Sequence, residues 1–248
     1  MMIHSEAERI ALAAVLGLVA AAGNLLGGLF VVRRDWPRHF LQYFIALGAG
    51  FMLAVAFLEI LPESLTLAGK EALYFVAIGF FLVHLFEHTI APHFHFGEET
   101  HEEEMRHHHA SATVLLGLVI HTFFDGVAIA AGFLVSTWLG AIIFLAVLIH
   151  KLPEGFTVAS VVLAAGQSRT RAVRAAAALG VATLLGVLLT SLLQSQLRYA
   201  LPLSGGVTVY VAATDLLPEV NKEPSWKMAA LVLVGAAMLL IIQRIANV

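Results

Sequence analysis

The chain has 248 residues, of which 60% are hydrophobic and only 12% carry a formal charge. A water-soluble domain of this size contains about 25% charged residues, and it could not cover so much apolar surface. The composition therefore excludes an ordinary soluble protein and favours a protein embedded in a lipid bilayer. The net charge of -3 is small, and no basic tract indicates a nucleic-acid partner. Cysteine is absent, which excludes disulfides and thiolate metal ligands, whereas 12 histidines leave imidazole and carboxylate as available ligands.

Apolar stretches of about 20 residues, the length at which a helix crosses a bilayer, recur along the whole chain. We predict an all-α, polytopic membrane protein, with residues 1–248 forming a single transmembrane domain of eight spans. The predicted spans are Ile10–Val32, Phe40–Leu61, Leu73–Ile90, Ala112–Val135, Trp138–Ala165, Ala172–Leu193, Leu201–Leu217 and Trp226–Ile245.

The basic residues between the spans predict the orientation of the chain. If the N-terminus lies outside, the inner side holds Arg33, Arg34, Arg38, Arg106, Arg169, Arg171, Arg174, Lys222 and Lys227. The outer side then holds only Arg9, Lys70, Arg198 and Arg244. Because cytoplasmic loops carry an excess of Lys and Arg, we expect both termini to lie outside.

Two spans end in matching motifs. Span two ends with Glu59-Ile-Leu-Pro-Glu63, and span seven ends with Asp215-Leu-Leu-Pro-Glu219. In the predicted topology these motifs lie at opposite membrane faces, which favours an inverted repeat of spans one to three and six to eight around spans four and five. The spans would then be arranged 3+2+3. Transporters commonly use such inverted repeats, with the substrate site near the midplane between them.

The fourth and fifth spans each carry a histidine and a carboxylate four residues apart. Span four contains His121-Thr-Phe-Phe-Asp125-Gly126, and span five contains His150-Lys-Leu-Pro-Glu154-Gly155. This spacing places each pair on one helix face, one turn apart. Ionisable groups inside a membrane are energetically costly, so they are candidates for a functional role. Four nitrogen and oxygen ligands suit zinc, manganese, iron or cadmium. The alternative is a buried polar network that only holds the helices together.

Two further features of these spans favour a metal site. Pro153 removes a backbone hydrogen bond and frees the carbonyl of Ile149 in span five, which is tolerated in a bilayer where neighbours or a wet cavity satisfy that group. Gly126 and Gly155, which follow the two carboxylates, permit close approach of neighbouring helices.

These motifs resemble those of the ZIP family of divalent metal transporters, in particular members with a His-Lys-x-Pro motif on the fifth span. The resemblance implies import of a divalent metal, most simply zinc, toward the cytoplasm across a cell membrane, and suggests a homodimer. It also implies that the metal is transported substrate and not a cofactor, with Fe²⁺, Mn²⁺ and Cd²⁺ as alternatives to Zn²⁺. The transport-site ligands that it implies are His121, Asp125, His150 and Glu154.

The residue after each histidine departs from the family pattern. Many members place a polar or acidic residue there and bind two metal ions, whereas this chain has Thr122 and Lys151. Because a protonated amine repels a cation, we expect a single-metal site in which Lys151 takes the place of the second ion and pairs with Asp125 or Glu154. The alternative is that Lys151 extends toward the outer surface.

The path to the site and the His-rich loop are open to two interpretations each. Glu59 and Glu63 are candidates for the outer mouth, and Asp215 and Glu219 for the inner one, or all four only solvate helix ends. His84 and His88 share a helix face near the cytoplasm and could receive the outgoing metal, or form a structural pair. Residues 92–110 form a His- and Glu-rich cytoplasmic loop, which could capture cations weakly or serve as a solvated linker.

Two other functions remain as alternatives. The segment His84-Leu-Phe-Glu87-His88 matches the H-x-x-E-H pattern of a metallopeptidase class, which predicts an intramembrane zinc-dependent hydrolase. That pattern leaves the paired motifs of spans four and five unexplained. A membrane metal sensor or buffer fits the His-rich loop, but not the repeat or the proline-broken fifth span. We therefore predict a transporter and not an enzyme.

Overall fold

The computed structural model describes residues 5–33, 38–89, 108–221 and 225–246. Every regular element within these residues is a helix, which confirms the predicted all-α class. The α-helices in chain order are α1 (Glu6–Arg33), α2 (Arg38–Val55), α3 (Leu61–Ala68), α4 (Glu71–Thr89), α5 (His108–Val135), α6 (Thr137–Ala164), α7 (Arg169–Leu192), α8 (Leu197–Tyr210), α9 (Leu217–Asn221) and α10 (Trp226–Ala246).

Among the described residues, 7 helices are long and apolar enough to cross a membrane, and one of these runs through α2 and α3 without a break. The predicted seventh span, Leu201–Leu217, is not among them. It corresponds to α8 and the segment that follows, and it is less apolar because Ser204, Thr208, Thr214 and Asp215 lie in its course. Large apolar side chains cover the outside of the bundle, as on α10, where Leu233 is 70% exposed. A lipid environment satisfies such a surface, so the fold is that of a polytopic membrane protein.

The helix of the fourth predicted span begins earlier than the sequence indicated. α5 starts at His108 instead of Ala112, so the last residues of the predicted loop 92–110 are helical. The rest of that loop, residues 92–107, lies outside the described residues.

The chain widens into a π-helical turn at two matching places, Ala56–Ile60 and Val211–Leu216. In each turn the closing backbone N–H bonds to the carbonyl five residues earlier. Pro62 and Pro218 follow, and because proline has no N–H to donate, the wider turn accommodates its ring within a continuing helix. The two turns contain the first acidic residues of the matching motifs, Glu59 and Asp215.

The long helices pack as two groups. In one group α1, α5, α6 and α7 contact one another, and in the other α2 packs on α10 while α4 packs on α8. The groups meet where α2 lies against α6 and where α8 lies against α5. The two helices that carry the paired histidine and carboxylate motifs, α5 and α6, therefore contact each other and also form the boundary with the second group.

Candidate metal site

The four predicted ligands come together in the protein interior. One ligand atom from each of His121, Asp125, His150 and Glu154 lies within 4.8 Å of every other. Among the described residues, this is the group of His, Asp and Glu side chains placed closely enough to hold a metal ion. All four side chains are buried, and Glu154 is fully inaccessible at 0% exposure.

The arrangement follows from helix geometry. Each pair is separated by one helical turn, and α5 and α6 pack with these faces together. Asp125 lies at the centre of the group, where its Oδ2 is 3.2 Å from Nε2 of His121 and 3.4 Å from Nε2 of His150. Pro153 lies inside α6 between the two α6 ligands, as the sequence indicated.

The histidine nitrogens are suited to metal ligation. Nδ1 of His150 is 2.9 Å from the backbone carbonyl of Ala146, so it carries the proton and leaves Nε2 as a lone-pair ligand facing Asp125. Nδ1 of His121 is buried and has no hydrogen-bond partner. Two imidazoles and two carboxylates form a four-ligand set without sulfur, which fits a divalent transition metal that must be bound and then released.

Lys151 occupies the interior beside these ligands. Its ammonium Nζ donates to Asp125 Oδ2 at 2.6 Å and to Glu154 Oε2 at 2.7 Å, and the side chain is 0% exposed. The alternative that Lys151 extends to the outer surface is therefore wrong, because no part of the side chain reaches the surface. It pairs with both carboxylates, where the sequence predicted one or the other.

Two further side chains hold Glu154 in place. The Thr122 hydroxyl donates to Oε1 of Glu154 from α5. Asn24 of α1 is fully buried, and its side-chain amide lies beside the carbonyl of Lys151 and Oε2 of Glu154. Since both neighbours only accept hydrogen bonds, the amide nitrogen faces them, and it donates to Lys151 O at 2.7 Å and to Glu154 Oε2 at 3.1 Å.

Glycines bring the supporting helices against the site, as predicted from their position after the carboxylates. A Cβ added at Gly155 would lie 1.9 Å from the carbonyl oxygen of Asn24, and one added at Gly126 would lie 2.0 Å from that of Thr183. Only glycine permits these approaches. As a result, α1 backs the α6 half of the site and α7 backs the α5 half.

The predicted outer-mouth residues lie away from the four ligands. Glu59 is in the first π-helical turn, and its Oε1 accepts hydrogen bonds from Trp138 Nε1 at 3.2 Å and from Gln243 Nε2 at 2.8 Å. It therefore links α6 and α10 to the α2 segment and does more than solvate a helix end. Glu63 lies on α3 and is partly exposed.

Of the residues predicted for the inner side of the path, Asp215 lies beside α4, and His84 and His88 lie on α4 itself. Asp215 is buried in the second π-helical turn, and it interacts electrostatically with Glu87 of α4. The Tyr210 hydroxyl donates to Glu87 Oε2 at 2.7 Å. The rings of His84 and His88 lie 4.1 Å apart on the exposed side of α4, whereas Glu87 points inward. The side chain of Glu219 lies outside the described residues.

Several contributors were not apparent from the sequence. The sequence contained one indication of a role for Asn24, which is a lone amide within an otherwise apolar span. It contained none for Trp138, Gln243 and Tyr210, because their roles depend on contacts between distant segments. Glu87 was noticed only as part of a hydrolase motif, and its inward position next to Asp215 could not be predicted without the packing of α4 on α8.

The fold and the site together define a multi-pass membrane protein with a buried nitrogen- and oxygen-ligand set for a divalent metal. A family model described as ZIP zinc transporter matches residues 95–243, more than half of the chain. The chain belongs to the ZIP zinc transporter family. It is consequently a metal transporter and not an enzyme, and the metal is its substrate.

Individual relatives agree with this assignment. Zinc transporter ZIP9-B of Xenopus laevis is 26% identical over 257 residues, covering 84% of this chain and 84% of the relative. Zinc transporter ZIP9 of Micropogonias undulatus is 31% identical over 158 residues, covering 59% of this chain and 50% of the relative. A zinc transporter ZIP13 homolog of Drosophila melanogaster is 32% identical over 120 residues, covering 46% of this chain and 34% of the relative. The chain thus spans half or less of the last two relatives.

Proposed function

We propose that the protein carries zinc toward the cytoplasm, and that the ion is bound in transit by His121, Asp125, His150 and Glu154. The observation that carries the proposal is the convergence of these four buried side chains on one point. Zinc is favoured because two imidazoles and two carboxylates match its four-coordinate preference, and because the relatives are named zinc transporters.

We further propose that one ion is bound at a time. The Lys151 ammonium lies between the two carboxylates, where it supplies positive charge that a second cation would otherwise supply. Because the ammonium repels a nearby divalent ion, it leaves room for one metal only. Thr122 completes this arrangement by orienting Glu154 instead of ligating a second ion.

An inverted repeat around α5 and α6 accounts for the packing. The contact between Gly50 of α2 and Val232 of α10 has a counterpart between Gly206 of α8 and Val76 of α4. The same number of residues separates Gly50 from Gly206, Val76 from Val232 and Glu59 from Asp215 along the chain. This register supports eight spans arranged 3+2+3, with α8 and its π-helical extension as the seventh.

The centre of the molecule follows the same symmetry. Gly155 on α6 abuts Asn24 on α1, and Gly126 on α5 abuts Thr183 on α7. The repeat thus exchanges α5 with α6 and α1 with α7, and places the metal site on the pseudo-twofold axis. Alternating access by movement of one helix group against the other is the mechanism that such repeats support.

The mouths, the orientation and the assembly complete the proposal. We assign Glu59 and Glu63 to the entrance, and Asp215, Glu219, His84 and His88 to the exit. The guanidinium of Arg9 donates to the carbonyls of Leu134 and Val135 at 2.8 and 3.1 Å, so the start of α1 and the end of α5 share one face. By the positive-inside rule this face is outer, with the termini outside a cell membrane. The single domain of residues 1–248, its cytoplasmic loop 92–110 and a homodimer are expected from the family resemblance.

Zinc flux into proteoliposomes tests the proposal. We expect the wild-type protein to transport zinc, and His121→Ala and Glu154→Ala to abolish flux at matched incorporation. Thr183→Val is a suitable control, since Thr183 is equally buried but its hydroxyl bonds only to the carbonyl of Leu179, at 3.3 Å. Zinc binding without flux under any gradient would instead favour a sensor or buffer, and flux that survives both site variants would refute the assigned ligands.

A further inference from the structure

Asn24 stands out as a polar residue of α1 that touches the metal site but belongs to neither ligand motif. It is 0% exposed, and its backbone carbonyl is the group against which Gly155 packs. Its amide reaches both Glu154 Oε2 and the Lys151 carbonyl, so it contacts a proposed ligand and the backbone one turn before that ligand. A polar side chain buried within an apolar span is costly unless its hydrogen bonds are satisfied, as those of Asn24 are.

The contacts determine how many oxygens Glu154 has available. A carboxylate offers about four lone-pair positions, two on each oxygen. Oε2 accepts from Lys151 Nζ at 2.7 Å and from the Asn24 amide at 3.1 Å, which fills both of its positions. Oε1 accepts from the Thr122 hydroxyl, which leaves one position open. Glu154 can therefore give a metal ion one oxygen and not two.

We propose that Asn24 is a positioning residue for metal selection, which restricts Glu154 to one-oxygen coordination and thereby favours a four-coordinate cation such as zinc over manganese. The inference rests on the proposed function, because it takes Glu154 as a ligand of the transported ion. Zinc favours four ligands, whereas manganese favours six, predominantly oxygen ligands. Freeing Oε2 adds an oxygen to the site and relieves this constraint.

The α7 side of the site provides a matched control. Thr183 of α7 corresponds to Asn24 of α1 by its packing, because it backs Gly126 as Asn24 backs Gly155, and it is also 0% exposed. Its hydroxyl bonds to its own helix at Leu179 and not to Asp125. A change there removes a buried polar group at the equivalent place without altering the hydrogen bonds of any proposed ligand.

The test is competition between zinc and manganese for the purified protein in detergent, followed by the same competition in proteoliposome flux. In Asn24→Leu and in Asn24→Ala, we expect the manganese-to-zinc affinity ratio to rise about tenfold, the size typical of changes to groups that orient metal ligands. Thr183→Val is expected to keep the wild-type ratio. A ratio is insensitive to a loss of folded protein, which affects both metals equally, and the alanine variant serves if leucine does not fit.

The outcomes separate this inference from the proposed function. An unchanged ratio in Asn24 variants that still bind zinc would overturn the role of Asn24 and leave the transport site intact. An equal rise in Thr183→Val would also overturn it, because the effect would then come from helix packing. Failure of the wild-type protein to bind zinc, or binding that His121→Ala leaves unchanged, would overturn the proposed function and the inference with it.

Discussion

The α5 half and the α6 half of the metal site share a backbone frame but differ in charge. Each half has a histidine, a carboxylate one turn later and a glycine that admits a supporting helix. The α5 half has Thr122 after its histidine, and the α6 half has Lys151. The comparison supports our proposal that the backbone frame sets where the four side chains lie, and that the residue after each histidine sets how many ions the site accepts.

Removal of the Lys151 ammonium should have the largest effect on this asymmetry. Lys151→Ala leaves Asp125 and Glu154 buried without the cation that pairs with both, a change that typically costs about 3–5 kcal/mol. We expect lower thermal stability without metal, recovery on adding zinc, and a bound stoichiometry that rises from one ion to two. Metal analysis of the purified protein and thermal unfolding measure these effects.

Lys151→Arg is the control for that experiment, because it retains a positive charge next to the carboxylates. We expect it to bind one ion. If Lys151→Ala also binds a single ion with unchanged pH dependence, the ammonium does not stand in for a second metal, and the asymmetry between the halves has another basis.

The close approach of a supporting helix, which both halves share, can be disrupted at the glycine of either half. Gly155→Ala and Gly126→Ala place a Cβ 1.9 Å and 2.0 Å from a carbonyl oxygen of the supporting helix, so the helices must separate. We expect each to lower stability by about 1–3 kcal/mol and to impair transport, although alanine favours helix more than glycine does. Thermal unfolding in detergent measures the loss.

Gly48→Ala is the matched control for the two glycine variants. Gly48 is a buried helical glycine of α2, and its added Cβ would meet nothing closer than Ile149 Cγ2 at 3.4 Å. We expect a neutral or slightly stabilising effect. Equal losses at all three glycines would mean that a close approach to a backbone carbonyl is not what makes Gly155 and Gly126 sensitive to substitution.

The sequence predicted the part of this comparison that depends on local spacing. Residues four apart on a helix share a face, so the pairing of His121 with Asp125 and of His150 with Glu154 required no tertiary information. The charge of Lys151 within an apolar span also indicated a partner nearby. The contribution of Asn24 could not be predicted, because it depends on which face of α1 packs against α6.

The fold was predictable to a similar degree. Apolar length identified the helices, and the matching Leu-Pro-Glu motifs of spans two and seven pointed to a repeat. The π-helical turns before Pro62 and Pro218 were not predicted, since proline permits several local solutions and neighbouring contacts select among them. The hydrogen bonds of Glu59 with Trp138 and Gln243 join segments far apart in the chain, which sequence spacing does not reveal.

Both halves supply one imidazole, so protons should compete with zinc at both. Histidine binds metal in its neutral form, and zinc affinity is therefore expected to fall in acid. Zinc affinity measured as a function of pH tests this expectation. His121→Ala and His150→Ala each lack one imidazole, so each should lose affinity less steeply in acid than the wild-type protein. A different slope in the two variants would show that the halves are unequal in proton competition as well as in charge.

The comparison extends to the mouths, where the expected effect is smallest. In the proposed repeat Glu59 corresponds to Asp215 and Gln243 corresponds to Glu87. The proposed outer mouth therefore has a carboxylate and an amide where the proposed inner mouth has two carboxylates. Glu87→Gln makes the inner mouth resemble the outer one. We expect zinc flux to fall about two- to fivefold, the effect of one charge interaction of roughly 0.5–1 kcal/mol, with zinc stoichiometry unchanged.

Two variants determine whether charge at the inner mouth is the cause. Tyr210→Phe removes the hydrogen bond to Glu87 but keeps both carboxylates, so flux should change less than in Glu87→Gln. Gln243→Glu adds a second carboxylate beside Glu59 and makes the outer mouth resemble the inner one. If the number of carboxylates governs how long a cation stays at a mouth, the two swaps should alter flux differently for zinc supplied from opposite faces. Identical effects from either face would mean that these side chains contribute packing and not cation binding, and the difference between the mouths would then be structural.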